Sequence, residues 1–270
     1  MDLTLIGWLL LLGAVVGFLA GLLGIGGGML MVPFMSMLLH AQGFPAEHIV
    51  KVAIATSLTT ILFTSLSSVR AHHRKGAVRW DITRTLAPGI VVGSLAGAQV
   101  AAALRGSLLA TGFGLFLVFT ATQMLMQRPP KPGGRLPGGT AMFGMGSLIG
   151  GLSALLGAGG GFLTVPFLTR SNVKIQEAVA TSAACGFPIA LAGPIGYAFA
   201  GWNERIGPAM LGYIYLPALA AVVAASMLTA PLGVRSVHAL PAATMKKLFA
   251  MLLYGLAAYM LWKAFTGRAG

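Results

Sequence analysis

The sequence predicts an all-α, polytopic transmembrane helical bundle of two homologous repeats with glycine-broken helices. Three observations carry this: the composition, the lengths of the apolar runs, and a match of the chain to itself. Of the 270 residues, 57% are hydrophobic and 9% charged, and the mean hydropathy is +0.86, whereas a soluble domain carries about 25% charged residues. The 38 glycines and 14 prolines lie within long apolar runs, which excludes disorder and fibre. A net charge of +13 would suggest nucleic acid on a soluble protein. Here Lys and Arg fall mostly between the apolar runs, which is the pattern of membrane orientation. The one cysteine, Cys185, excludes an intrachain disulfide and reads as a small packing residue.

The first apolar run, about 3 to 39, begins without a basic leader region and reads as mature structure. Others follow at about 49 to 69, 80 to 104, 107 to 126, 140 to 168, 178 to 201, 207 to 230 and 247 to 265. Most have the roughly 20 residues needed to cross about 30 Å of hydrocarbon. The first and fifth are too long for one span and awkward for two, and each contains a glycine cluster. Counted whole, the runs give eight long spans; counted as broken, they give five elements in each half.

An offset of 133 lays Gly24-Ile25-Gly26-Gly27-Gly28 on Gly157-Ala158-Gly159-Gly160-Gly161, and Val32-Pro33-Phe34 on Val165-Pro166-Phe167. Thirteen identities fall within the 22 positions from Gly13 to Phe34. Ala55-Thr56-Ser57 likewise matches Ala180-Thr181-Ser182, at an offset of 125. We divide the chain into a first repeat over 1–127, a Pro/Gly-rich basic linker over 128–139 and a second repeat over 140–270. Cytoplasmic connections of membrane proteins carry the excess of Lys and Arg. The five-plus-five count puts 13 of the 18 basic residues on one side, inverts the halves and places the N-terminus outside; counting eight single passes splits them 11 to 7.

Corresponding breaks in two repeats are the signature of secondary transporters, whose substrate site lies at the breaks. Consecutive glycines let successive N–H groups converge on an anion, and a following helix N-terminus adds positive potential. The candidate site is therefore Gly26, Gly27, Gly28, Thr56, Ser57, Gly159, Gly160, Gly161, Thr181 and Ser182, with Pro33 and Pro166 expected at the first helical position. The competing reading is that glycines serve close helix packing, as Gly13, Gly17 and Gly21 do at four-residue spacing. The wider hydroxyl set, Thr56, Thr60, Thr64 and Ser67, lines one helical face and satisfies backbone or neighbouring helices as readily as a ligand.

Glu47 and Glu177 stand ahead of the two Ala-Thr-Ser elements with Lys51 and Lys174 close by, either as capping or ion-pairing residues or as proton-coupling carboxylates. Gln99 and Gln123 are expected to hydrogen-bond across the bundle, and Arg70 to Lys75 to anchor the cytoplasmic face. Adjacent His72 and His73 diverge by about 100° on a helix and lack companion ligands. No metal and no cofactor is expected.

The doubled Gly-X-Gly-Gly-Gly-(X)3-Val-Pro-Phe element, followed in each half by Ala-Thr-Ser, resembles the sulfite exporter TauE/SafE family, also called the 4-toluene sulfonate uptake permeases. The resemblance runs over nearly the whole chain. It implies a plasma-membrane permease for small sulfur-containing anions such as sulfite, thiosulfate or an organosulfonate, with the family's motif falling on Gly24, Gly26 to Gly28, Pro33, Thr56 and Ser57, and on Gly157, Gly159 to Gly161, Pro166, Thr181 and Ser182. One departure stands out: the second half has Cys185-Gly186-Phe187-Pro188 where the first has Thr60-Ile61-Leu62-Phe63, so the two sites are not equivalent. The expected function is a secondary transporter alternating between two repeats, with an anion channel as the alternative mechanism. The expected partners are the sulfur anion, the lipid bilayer and a proton or other coupling ion, not nucleic acid. An intramembrane enzyme is the competing class, and it would need a nucleophile and base, an acid pair or a metal cluster within the spans.

Overall fold

The computed structural model describes residues 3–23, 28–126, 134, 136–204, 206–235 and 242–266. Among them run ten helices: α1 Leu3–Leu23, α2 Gly28–Ala41, α3 Ala46–Arg74, α4 Trp80–Ala103, α5 Gly106–Met126, α6 Gly139–Leu156, α7 Gly161–Arg170, α8 Ile175–Ala200, α9 Leu216–Arg235 and α10 Ala242–Phe265. A short antiparallel hairpin, β1 Met210–Leu211 with β2 Ile214–Tyr215, precedes α9. Six of these elements are long and apolar enough to cross a membrane: α3, α4, α5, α6, α8 and the Lys247–Phe265 stretch of α10. Their outward residues, such as Leu115, Phe199, Met251 and Phe265, leave large apolar side chains exposed, as a lipid-facing surface requires. The chain is an all-helical, multi-pass membrane protein.

The helix pairs have definite directions. Gly89, Gly93 and Gly97 of α4 run beside Phe143, Ser147 and Gly151 of α6 in parallel, so closely that a Cβ on Gly93 would collide with the Ser147 carbonyl. Gly13 and Gly17 of α1 face Val222 and Ser226 of α9 in the same parallel sense, and a Cβ on Gly13 would stand 2.8 Å from the Val222 Cα. In lipid, where no hydrophobic force brings helices together, small residues earn their place by admitting backbone-to-backbone contact. Gly146 and Gly150 meet Ile90 and Ser94 just as Gly13 and Gly17 meet Val222 and Ser226, so each half packs its glycine-bearing first helix on the fourth helix of the other. The α3 and α8 pair is antiparallel, with Thr181 near the start of α8 against Arg79, just past the end of α3, and Leu58 against Gly193. Helices α5 and α10 are antiparallel too, joined by the 2.7 Å contact of Thr122 and Tyr254 hydroxyls.

These directions put Arg79 and Glu177 within 3.6 Å of each other. The Arg70 to Arg84 cluster and the Arg170 to Lys174 turn therefore share one end of the bundle. Lys51, near the start of α3, donates to the Ala102 carbonyl near the end of α4 at 2.6 Å, which marks the opposite end.

Two expectations are corrected. Pro33 and Pro166 are not first helical residues: α2 starts at Gly28 and α7 at Gly161, so each proline lies in the second turn. The last glycine of each cluster enters the helix itself, and the proline ring, compatible with helical φ, then removes one interior hydrogen bond. The apolar run from 207 begins as a hairpin, because Gly207-Pro208 and Gly212 (φ +56°) flank residues of high strand propensity. The interruption expected in the run from 140 falls at Gly157, where α6 ends, and the chain resumes as the ten-residue α7. Gly26, Gly27 and most of the 128–139 linker lie outside the described residues.

Candidate functional site

Helices α2 and α7 approach from opposite ends and bring their N-termini together at the centre. The Ser57 hydroxyl of α3 donates to the Gly157 carbonyl at 3.2 Å, with the Gly28 carbonyl at 3.5 Å as its alternative acceptor. One side chain thus joins both breaks. Ile61, one turn further along α3, also touches both: its side-chain carbons would stand 2.8 Å from a Cβ on Gly28 and 3.6 Å from one on Gly159. Ser57 lies eleven residues into α3, roughly 16 Å along its axis, which is about half of a 30 Å hydrocarbon layer.

The second break leaves backbone groups without helical partners. Gly157 (φ +60°) and Gly160 (φ +75°) adopt the left-handed conformation that side chains disfavour. The first helical bonds of α7 are made by the Leu163 and Thr164 amides, both to the Gly160 carbonyl. The amides of Gly159, Gly160 and Gly161 make no hydrogen bond to any described residue. Such groups cost several kcal/mol each in hydrocarbon unless something polar meets them. Ser182 of α8 lies beside Gly161, its hydroxyl 3.4 Å from where a Cβ would be, and Ser153 of α6 lies beside Gly160 at 3.2 Å. Ser153 is fully buried and its hydroxyl has no partner among the described residues. Sequence reasoning missed it because the 133 offset pairs it with Ala20, so the search for duplicated hydroxyls passed it over.

The duplicated threonines do something else. The Thr56 oxygen accepts the amide of Tyr215, the residue just ahead of α9, at 3.1 Å. The Thr181 oxygen accepts the amide of Arg79, the residue just ahead of α4, at 3.0 Å. Each fixes the residue just ahead of a helix in the other part of the chain, Tyr215 in a buried place and Arg79 in a part-buried one. The remaining hydroxyls of α3 mostly bond their own helix: Thr59 to the Ala55 carbonyl, Thr60 to Thr56, Thr64 to Ile61 and Ser65 to Leu62. Gln99 reaches across the bundle to the Gly196 carbonyl at 3.0 Å, whereas Gln123 is exposed in a shallow notch with Phe119, Thr122 and Met126.

Polar clusters occupy the two ends. Where α8 begins, Arg79 pairs with Asp81 at 2.8 Å and with Glu177 at 3.6 Å, and the Asp81 hydrogen bond holds its guanidinium above the ordinary arginine range. The indole of Trp80 donates to His73 there. Where α3 begins, the His48 Nε2 stands 2.9 Å from Glu47 and 3.9 Å from Glu204, while Lys51 lies 5.8 Å from the centre of the Tyr213 ring. Burial, with the Glu204 and Glu47 carboxylates, pushes the Tyr213 phenol above its usual range, so it stays a donor. The partners of Glu47 and Glu177 are thus His48 and Arg79. No three His, Cys, Asp or Glu side chains converge as a metal site among the described residues.

Residues 9–260 match the family model described as Sulfite exporter TauE/SafE. The chain belongs to the sulfite exporter TauE/SafE family. A probable membrane transporter protein of Haemophilus influenzae is 36% identical to it over 257 residues, covering 94% of this chain and 97% of the relative. One of Methanocaldococcus jannaschii is 28% identical over 235 residues, 86% of each chain, and one of Xylella fastidiosa is 32% identical over 163 residues, 58% of this chain and 59% of the relative. No solved structure matches the chain. Family membership and the apolar helices together make this a membrane transporter protein, and the glycine breaks and Ala-Thr-Ser elements described above lie inside the matched region.

Proposed function

We propose that the protein is a secondary transporter of the plasma membrane that moves a small sulfur-containing oxyanion, such as sulfite, thiosulfate or an organosulfonate, by alternating access between two inverted repeats. The observation that carries this reading is the convergence of both breaks on Ser57, beside three unpartnered glycine amides and the orphaned Ser153 hydroxyl. These groups are neutral, which suits an anion that must be released as well as bound. Gly28, Gly159, Gly160, Gly161, Ser57, Ser153 and Ser182 are the proposed contacts, with Thr56 and Thr181 holding the helices around them; Gly26 and Gly27, also expected from the sequence, lie outside the described residues.

Several features support inverted repeats. The antiparallel α3 and α8 pair is what five elements per half require, since four spans per half would make these helices parallel. The shared end of the Arg70 to Arg84 and Arg170 to Lys174 groups agrees with the 13-to-5 division of basic residues and makes that end cytoplasmic. The carrier reading is favoured over a channel by burial: Ser57 and Ser153 are 0% exposed and Ser182 4%, so the centre is closed and must open to load. Among the described residues the spans offer no nucleophile and base pair, which favours transport over catalysis.

The test is thermal stabilisation of the purified protein by sulfite, sulfate, thiosulfate, taurine and sulfoacetate, because a ligand that binds the native state raises the melting temperature. A Cβ at Gly159 meets only Ile61, at 3.6 Å, so Gly159→Leu is expected to fold and insert, fill the break, and lose the anion response. A wild-type response in that variant contradicts the reading.

A further inference from the structure

The end of the bundle where α3 begins holds three hydrogen-bonding groups with unspent capacity around one ring. Lys51 is 9% exposed and its ammonium makes one hydrogen bond, to the Ala102 carbonyl, leaving two N–H groups free of described partners. The Tyr213 hydroxyl bonds no described residue, and its ring lies 5.8 Å from the Lys51 nitrogen and 5.9 Å from the centre of the His48 ring. The His48 Nδ1 is buried without a partner. Because Nε2 faces Glu47 at 2.9 Å and donates to it, Nδ1 is an acceptor in the neutral ring and becomes a donor only when the ring takes a second proton.

Among the described residues, the charges facing this place are those of Glu47, His48 and Lys51 on α3 and of Glu204 ahead of the hairpin, with the neutral Tyr213 between them. With a neutral histidine the two carboxylates outweigh the one ammonium, and the cluster repels an anion. A proton on His48 cancels that excess and turns Nδ1 into a third donor beside Lys51 and Tyr213.

We infer that Lys51, His48 and Tyr213 form an access site for the transported oxyanion, and that filling it takes up one proton on His48. The inference rests on the anion-carrier reading and adds the coupling ion and its residue. The site leads inward. Lys51 precedes Ser57 by six residues, about 9 Å along α3. Tyr213 packs edge-on against Tyr197 at 6.3 Å, whose hydroxyl donates to the Ala154 carbonyl at 3.0 Å, next to Ser153. A carrier built this way moves a proton together with its anion, so a proton gradient drives the anion.

The experiment is calorimetric titration of the full chain with methanesulfonate and with thiosulfate. Neither probe changes charge from about pH 8 down to about pH 5.5, where histidine ordinarily titrates, so any pH dependence belongs to the protein. Runs in two buffers of different ionisation heat count the protons. Wild type is expected to take up about one proton per anion and to gain up to about tenfold in affinity per pH unit of acidification. His48→Gln is expected to bind with neither proton uptake nor a pH slope. Lys51→Met is expected to weaken binding about tenfold or more, because a charge-assisted hydrogen bond is lost, and Lys51→Arg to restore it. Binding without proton uptake by wild type, an unchanged pH slope in His48→Gln, or equal affinity in Lys51→Met overturns the inference while leaving the carrier reading intact. No binding of either probe at any pH also overturns it, whereas the carrier reading falls only if the wider anion panel fails to stabilise wild type.

Discussion

Thr56 of α3 holds the amide ahead of α9 and Thr181 of α8 holds the amide ahead of α4, yet the charged groups at the starts of α3 and α4 differ. Arg79, 42% exposed at its side chain, is matched by Asp81 and Glu177. Lys51 is buried, with a carbonyl as its only hydrogen-bonded partner among the described residues. A solvated pair with two carboxylates is electrically finished and contributes at most about 1 kcal/mol. A buried ammonium with spare donors is not finished, and it gives a molecule built from two like halves different chemistry at its two mouths. The comparison teaches that the backbone ties made by the two threonines are alike while the charged side chains near the starts of α3 and α4 are not.

The largest expected effect falls where the halves are alike. Gly150→Leu drives a side chain into the Ile90 carbonyl and Gly17→Leu into Ser226. Each is expected to cost more than about 3 kcal/mol and to abolish the monodisperse peak in size-exclusion chromatography. Gly144→Leu, with open space around it, leaves that peak unchanged. If Gly150→Leu purifies normally, the backbone contact between α4 and α6 is not what holds the halves together.

Next come the ties themselves. Thr56→Val and Thr181→Val each leave an amide without its acceptor, at a cost of about 1 to 3 kcal/mol. The loss of melting temperature is expected to be greater for Thr56, whose partner Tyr215 is 5% exposed, than for Thr181, whose partner Arg79 is half-buried. Equal losses would erase the distinction between the two ends. A smaller effect of opposite sign is expected at the centre. Ser153→Ala removes a buried hydroxyl without a partner and is expected to raise the melting temperature of the anion-free protein by the equivalent of about 1 kcal/mol, while reducing its response to the anion. Least of all, Arg79→Met is expected to change stability by less than about 1 kcal/mol, and that remainder to shrink as salt is added.

Much of this was legible in the residues. The offset of 133 located both breaks, and the four-residue spacing of Gly13 and Gly17 identified a packing seam, because periodicity and small side chains are local signals. The Thr-Ser pairs were found, but not their division of labour: Ser57 points at the breaks while Thr56 turns to Tyr215, a residue 159 positions away. That distinction depends on which neighbour the fold supplies. Pro33 and Pro166 were misplaced because the glycine before them was read as loop when it is already helix. Ser153, His48 and Tyr213 stayed hidden because none has a duplicated counterpart, and the hairpin of Tyr213 and Tyr215 was masked by the apolar run that contains it.

The claim on which the rest depends is that the glycine breaks bind the anion. The most direct measurement is the melting temperature of wild type and of Gly159→Leu across the sulfur-anion panel. The account predicts a rise for wild type with at least one sulfur oxyanion and no rise for the variant, which otherwise melts as a folded membrane protein. A wild type indifferent to every anion, or a variant that responds as wild type does, contradicts it.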